Sequence, residues 1–76
     1  LAKRRISSLD LGWLILNELG DPGSRVARAS IAVVPDNKLG WRAVVAVSSR
    51  RYMTADDQRR LADVQKQLRA MYELSG

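Results

Sequence analysis

The apolar residues of the chain fall into stretches with different spacings, and each spacing points to a different element. Ile6, Leu9, Trp13, Leu16 and Leu19 recur at intervals of three and four, the period of one helical face. This predicts a helix over residues 7–20, with Ser7 or Ser8 as its cap, Asp10 near the positive end of its dipole and Gly20 as its stop. Leu11, Leu14 and Ile15 widen the apolar stripe beyond that of an ordinary amphipathic helix, so cover is expected on two sides. Leu9, Leu11, Trp13 and Ile15 also alternate as a strand would, and Gly12 weakens a helix by about 1 kcal/mol relative to Ala. The periodicity fits both, and the helix is taken over the strand.

Residues 20–24, Gly-Asp-Pro-Gly-Ser, are dense turn chemistry: proline fixes one φ, and glycine beside it admits positive φ. Two stretches of β-branched and small residues follow, 26–34 and 41–48, separated by Pro-Asp-Asn-Lys-Leu-Gly at 35–40. This predicts a β-hairpin within 25–50. Ala27, Ala29, Ile31 and Val33 share one face, as do Trp41, Ala43, Val45 and Val47 on the partner strand. The apolar sets meet only if the numbers of opposed residues sum to an even value, 74 or 76; an odd sum would place Arg28 or Arg42 among core residues.

The final element opens with Thr54, which can accept from the backbone N–H near Asp57 in a capping-box arrangement, while Asp56 and Asp57 meet the helix dipole. A helix over 54–74 would bury Leu61, Val64, Leu68, Met71 and Tyr72. Arg59, Arg60, Asp63, Lys66, Arg69 and Glu73 would lie outside, with Asp56 and Arg60 paired at i,i+4. Residues 1–6 are left as a basic tail. The fold class is α+β: a small two-layer αββα unit with an antiparallel hairpin, completed by dimerisation.

Length supports one domain, since 76 residues cannot hold two cores that fold alone. Hydrophobic residues make up 46% and charged residues 28%, a globular rather than disordered balance. The chain has no Cys and no His. Disulfide frameworks, Cys or His zinc sites, thiol nucleophiles and Ser-His-Asp triads are thereby excluded. The basic start at Lys3, Arg4 and Arg5 resembles the opening of a signal peptide, but Ser7, Ser8, Asp10 and Gly12 interrupt the apolar run after it. Nothing approaches the roughly 18 apolar residues of a membrane span. A cytoplasmic location is expected, and the start at Leu1 suggests part of a longer protein.

Catalysis is not expected. Asp56 and Asp57 are the only adjacent carboxylates, and successive helix side chains diverge by about 100°, so they cap the helix. The 20–24 turn lacks the Lys-Ser/Thr ending of a phosphate loop, the loop around Asp36 is too short for a calcium site, and Tyr52 reads as an anchor between strand and helix. No cofactor and no metal is implied.

What remains is the surface. The hairpin face opposite the core carries Ala32, Val34, Val44 and Ala46 at its centre, with Arg28 and Arg42 at its rim. A solvated face would be more polar than this, and a lone two-stranded hairpin is marginal in water. The leading expectation is a non-enzymatic assembly module that homodimerises through these six residues. The net charge of +5 concentrates on the tail and the hairpin, and ten of thirteen basic residues are Arg, the side chain suited to bidentate phosphate contacts. The alternative is therefore a basic protein that binds RNA or single-stranded DNA through Lys3, Arg4, Arg5, Arg25, Arg28, Arg42, Arg50 and Arg51. Trp41 beside Arg42 invites base stacking in that reading, although its parity places it on the core face.

Overall fold

The computed structural model of the chain describes residues 2–19 and 30–75. Its elements run β1 (Arg4–Ile6), α1 (Ser8–Leu19), β2 (Ile31–Asp36), β3 (Gly40–Val45), α2 (Val47–Arg50), α3 (Ala55–Met71) and β4 (Tyr72–Leu74). The class is α+β as expected, but the strands form two separate pairs: β2 and β3 antiparallel, β1 and β4 parallel.

Helix α1 is a helix and not a strand. Ser7 is the cap: its Oγ accepts from the Asp10 N–H at 3.1 Å and its carbonyl accepts from the Leu11 N–H at 2.9 Å. The side of the helix that enters the core differs from the first stripe read from the sequence. Leu11, Ile15 and Leu19, spaced by four, are buried, whereas Leu9 and Trp13 are 64% and 46% exposed. Both stripes satisfy helical spacing, and only the positions of the hairpin and α3 decide between them. The 20–24 turn lies outside the described residues.

The hairpin holds the even register. Ile31 faces Val45, Val33 faces Ala43, and Val34 faces Arg42, each pair summing to 76. Val33 and Trp41 consequently join Leu11, Ile15, Leu19, Leu61, Val64 and Leu68 in one core, with Ile31, Ala43 and Val45 packed against it. Trp41, 1% exposed, is the largest buried side chain. Its indole N–H donates to the Tyr72 carbonyl at 3.2 Å, so its one polar atom is satisfied. The turn closes on Asp36, whose Oδ1 accepts from the Lys38 and Leu39 N–H groups, both at 2.8 Å. Gly40 follows at φ +88°, a left-handed conformation that favours glycine.

The second strand stops earlier than the sequence suggests. Past Val45 the chain turns into α2, tied back by the Ala46 N–H to the Ser30 carbonyl at 2.7 Å and by the Ser49 hydroxyl to the Ser30 hydroxyl at 2.5 Å. Val47, assigned by parity to the core face, is 79% exposed as a result. The Thr54 capping box forms as expected, with Thr54 Oγ1 accepting from the Asp57 N–H at 3.1 Å and Asp57 Oδ2 accepting from the Thr54 N–H at 3.2 Å.

Two boundaries need correction. Helix α3 ends at Met71 rather than 74, leaving Met71 exposed, and residues 4–6 form a strand rather than part of a free tail. Arg4, Arg5 and Ile6 pair with Tyr72, Glu73 and Leu74, and the Ser75 N–H donates to the Ile6 carbonyl at 2.8 Å. The cause is alternation: Tyr72 and Leu74 turn partly inward around an exposed Glu73 and pack, with Ile6, against the core. Three residues are too few to show a period-two signal beside a long helix.

Candidate functional site

The hairpin face turned away from the helices is the first candidate. The register sets Ala32 directly across from Val44 and Val34 directly across from Arg42, with Ala46 one step beyond. Four of the six expected interface residues are thus neighbours with Arg42 beside them; Arg28 lies outside the described residues. Ala32, Val44 and Ala46 are exposed and Val34 is half-buried, because both α1 and α3 contribute to the core on the opposite face. Arg42 Nε stands 3.5 Å from Asp36 Oδ2, closing one end of the patch with a matched pair of charges. The Asp36 carboxyl is held below the usual carboxylate range, first by the Leu39 and Lys38 N–H groups and then by the Arg42 and Arg69 charges.

Of the basic residues expected to bind nucleic acid, Lys3, Arg4, Arg5, Arg42, Arg50 and Arg51 are described and all are exposed, with the exposed Tyr52 next to Arg51. Arg25 and Arg28 lie outside the described residues. Lys3, Arg4 and Arg5 are exposed at the β1–β4 pair, where Arg5 Nε is 3.7 Å from Glu73 Oε1. Arg50 and Arg51 are exposed around the end of α2. Trp41, the aromatic that would stack on a base, is buried in the core.

Arg60 and Arg69, expected among the solvated residues of α3, are half-buried and structural. Arg60 donates from Nη2 to the Leu19 carbonyl at 2.7 Å, supplying a positive charge to the end of α1, whose own last turn has none. It does so instead of pairing with Asp56, which lies 3.9 Å from Arg59. Arg69 donates from Nε to the Trp41 carbonyl at 2.8 Å and from Nη2 to Gln65 Oε1 at 3.0 Å, and its guanidinium lies 5.2 Å from the Trp41 ring centroid. Gln65 Oε1 in turn accepts from the Ala43 N–H at 3.0 Å. One face of α3 therefore grips the outer edge of β3.

Beyond that grip lies a groove of about 300 Å³ between β3 and α3, which the sequence reading did not anticipate. Val45, Met53, Leu61 and Ala62 form apolar parts of its lining, and Arg42 and Arg50 supply its charge. Among the described residues, no acidic side chain lines it. A pattern search along one strand or one helix cannot find it, because the walls come from segments that only the fold brings together.

Among the described residues, no group of acidic side chains could hold a metal ion, and no helix is long and apolar enough to cross a membrane. The chain matches no family model, no curated protein and no solved structure.

Proposed function

We propose that the chain is a non-enzymatic assembly module that pairs with a second copy of itself through the open face of its hairpin. The observation that carries this reading is the cross-strand patch Ala32, Val34, Val44 and Ala46, small and apolar, with the Arg42–Asp36 pair at one end. A two-fold axis through such a patch would bring like small side chains together and place each copy's charge pair at the rim, where charges set orientation at little desolvation cost. A domain of this size also hides only about 60% of its unfolded surface, so cover over the second hairpin face adds stability that one copy lacks.

The test is a pair of variants, Val44→Glu and Arg42→Glu, each measured for mass by analytical ultracentrifugation and for heparin retention. Val44→Glu, which sets a carboxylate in the centre of the patch, should convert dimer to monomer with its circular dichroism unchanged. Arg42→Glu should weaken the dimer more than it weakens heparin retention. Unchanged dimer mass in Val44→Glu would remove the hairpin face from the interface. Loss of heparin retention with the dimer intact would instead favour binding to nucleic acid.

A further inference from the structure

The groove beside β3 adjoins the hairpin face, with Arg42 and Val44 common to both, and its chemistry is that of an unfinished sheet edge. The Ala43 N–H points away from β2, since it donates to Gln65, so the ladder alternation turns the backbone groups of Trp41, Ala43 and Val45 outward. Helix α3 satisfies the first part of this edge: Arg69 takes the Trp41 carbonyl and Gln65 takes the Ala43 N–H. The next groups along the edge, the Ala43 carbonyl and the Val45 N–H, have no hydrogen-bond partner among the described residues. They flank Val44 at the spacing by which a single residue of a parallel strand is held through both its N–H and its C=O.

We propose that this groove receives an extended acidic peptide segment of a partner protein, added as a further strand at the edge of β3. Three features select that occupant. Two adjacent, outward backbone groups offer the main-chain bonds on which strand addition depends. Met53, Leu61 and Ala62 give an apolar seat to the side chains on one side of the guest strand. Arg50, with Arg42 partly balanced by Asp36 and no carboxylate in the lining among the described residues, favours acidic residues over basic ones. Gln65 and Arg69 fix where the guest strand ends, because they already occupy the edge nearer Trp41. The proposal does not depend on self-association, although Arg42 and Val44 border both surfaces.

The experiment titrates the isotope-labelled chain with an acetylated, amidated peptide, Glu-Val-Thr-Val-Glu-Val, and follows the backbone amides by NMR. Two controls carry Lys in place of Glu, or N-methyl groups on the two central residues. The acidic peptide should shift the Val45 amide most, with Gln65 and Met53 affected alongside it. N-methylation and the Glu-to-Lys exchange should each weaken binding by roughly tenfold, as expected for lost main-chain bonds or reversed charge. Arg50→Gln, a change at an exposed side chain, should weaken the acidic peptide several-fold and leave the spectrum of the free chain intact. The proposal is overturned if millimolar acidic peptide shifts nothing, if N-methylation makes no difference, or if the shifts fall on Ala32 and Ala46 instead. Protection of the Val45 amide that appears only as the chain dimerises, without peptide, would also overturn it by making a second copy the occupant of the edge.

Discussion

Asp36 and Gly40 hold the hairpin turn by different means, and they respond to different perturbations. The folded Asp36 carboxyl has a lowered pKa, so its stabilising contribution is complete above the ordinary carboxylate value of about 4 and is lost as pH falls through the lower folded value. Asp36→Asn keeps an acceptor oxygen but cannot titrate. Thermal unfolding from neutral pH down to strong acid should therefore show a steeper loss of stability in the native chain than in Asp36→Asn below about pH 4; parallel losses would contradict the assignment. Gly40 answers to backbone geometry alone. A Cβ there meets nothing within 4 Å, yet φ of +88° strains any L side chain, so Gly40→Ala should cost about 1 kcal/mol in denaturant unfolding. Gly12 gives the opposite sign. Its Cβ would also enter open space but inside a helix, so Gly12→Ala should stabilise by about 0.5–1 kcal/mol. Roles set by local chemistry, such as the Thr54 capping box and the core parity of Trp41, were legible in the sequence. Those of Arg60 and Arg69 were not, because helical position marks them as outward while their guanidinium groups reach back to carbonyls of other elements.

Among the elements, long runs were legible and short ones were not. The register of β2 and β3 follows from parity, since a one-residue slip would exchange the core set for the polar set. The ends of the chain show no such pattern. Arg4–Ile6 and Tyr72–Leu74 are three residues each and come together only because α3 returns the chain to its start. The choice of face on α1 was equally closed to one-dimensional reading, as its two apolar stripes differ only in what the rest of the fold sets against them. The β1–β4 pair has a measurable consequence at Trp41, whose indole N–H uses the Tyr72 carbonyl. Removing residues 72–76 should lower stability by about 1–3 kcal/mol through the orphaned buried donor alone. In a Trp13→Phe background, where Trp41 is the remaining tryptophan, the truncation should also move its fluorescence to the red. An unshifted spectrum would mean that β4 does not cover the ring.

For the molecule as a whole, the two sides of the hairpin are treated unequally. One side packs Val33 and Trp41 into a core shared with α1 and α3, and the other presents Ala32, Val34, Val44 and Ala46 outward. This asymmetry was readable from alternation, because residues of opposite parity occupy opposite faces of a strand. The groove between β3 and α3 belongs to the same scale but was not readable, since its walls lie on separate segments. The two proposals give this small domain two tasks, self-pairing on the hairpin face and capture of an extended chain at the adjoining β3 edge. The most direct measurement of the first is multi-angle light scattering of the unaltered chain across a micromolar concentration series. The account predicts twice the chain mass, falling toward the single-chain mass on dilution. A single-chain mass throughout the series would contradict it.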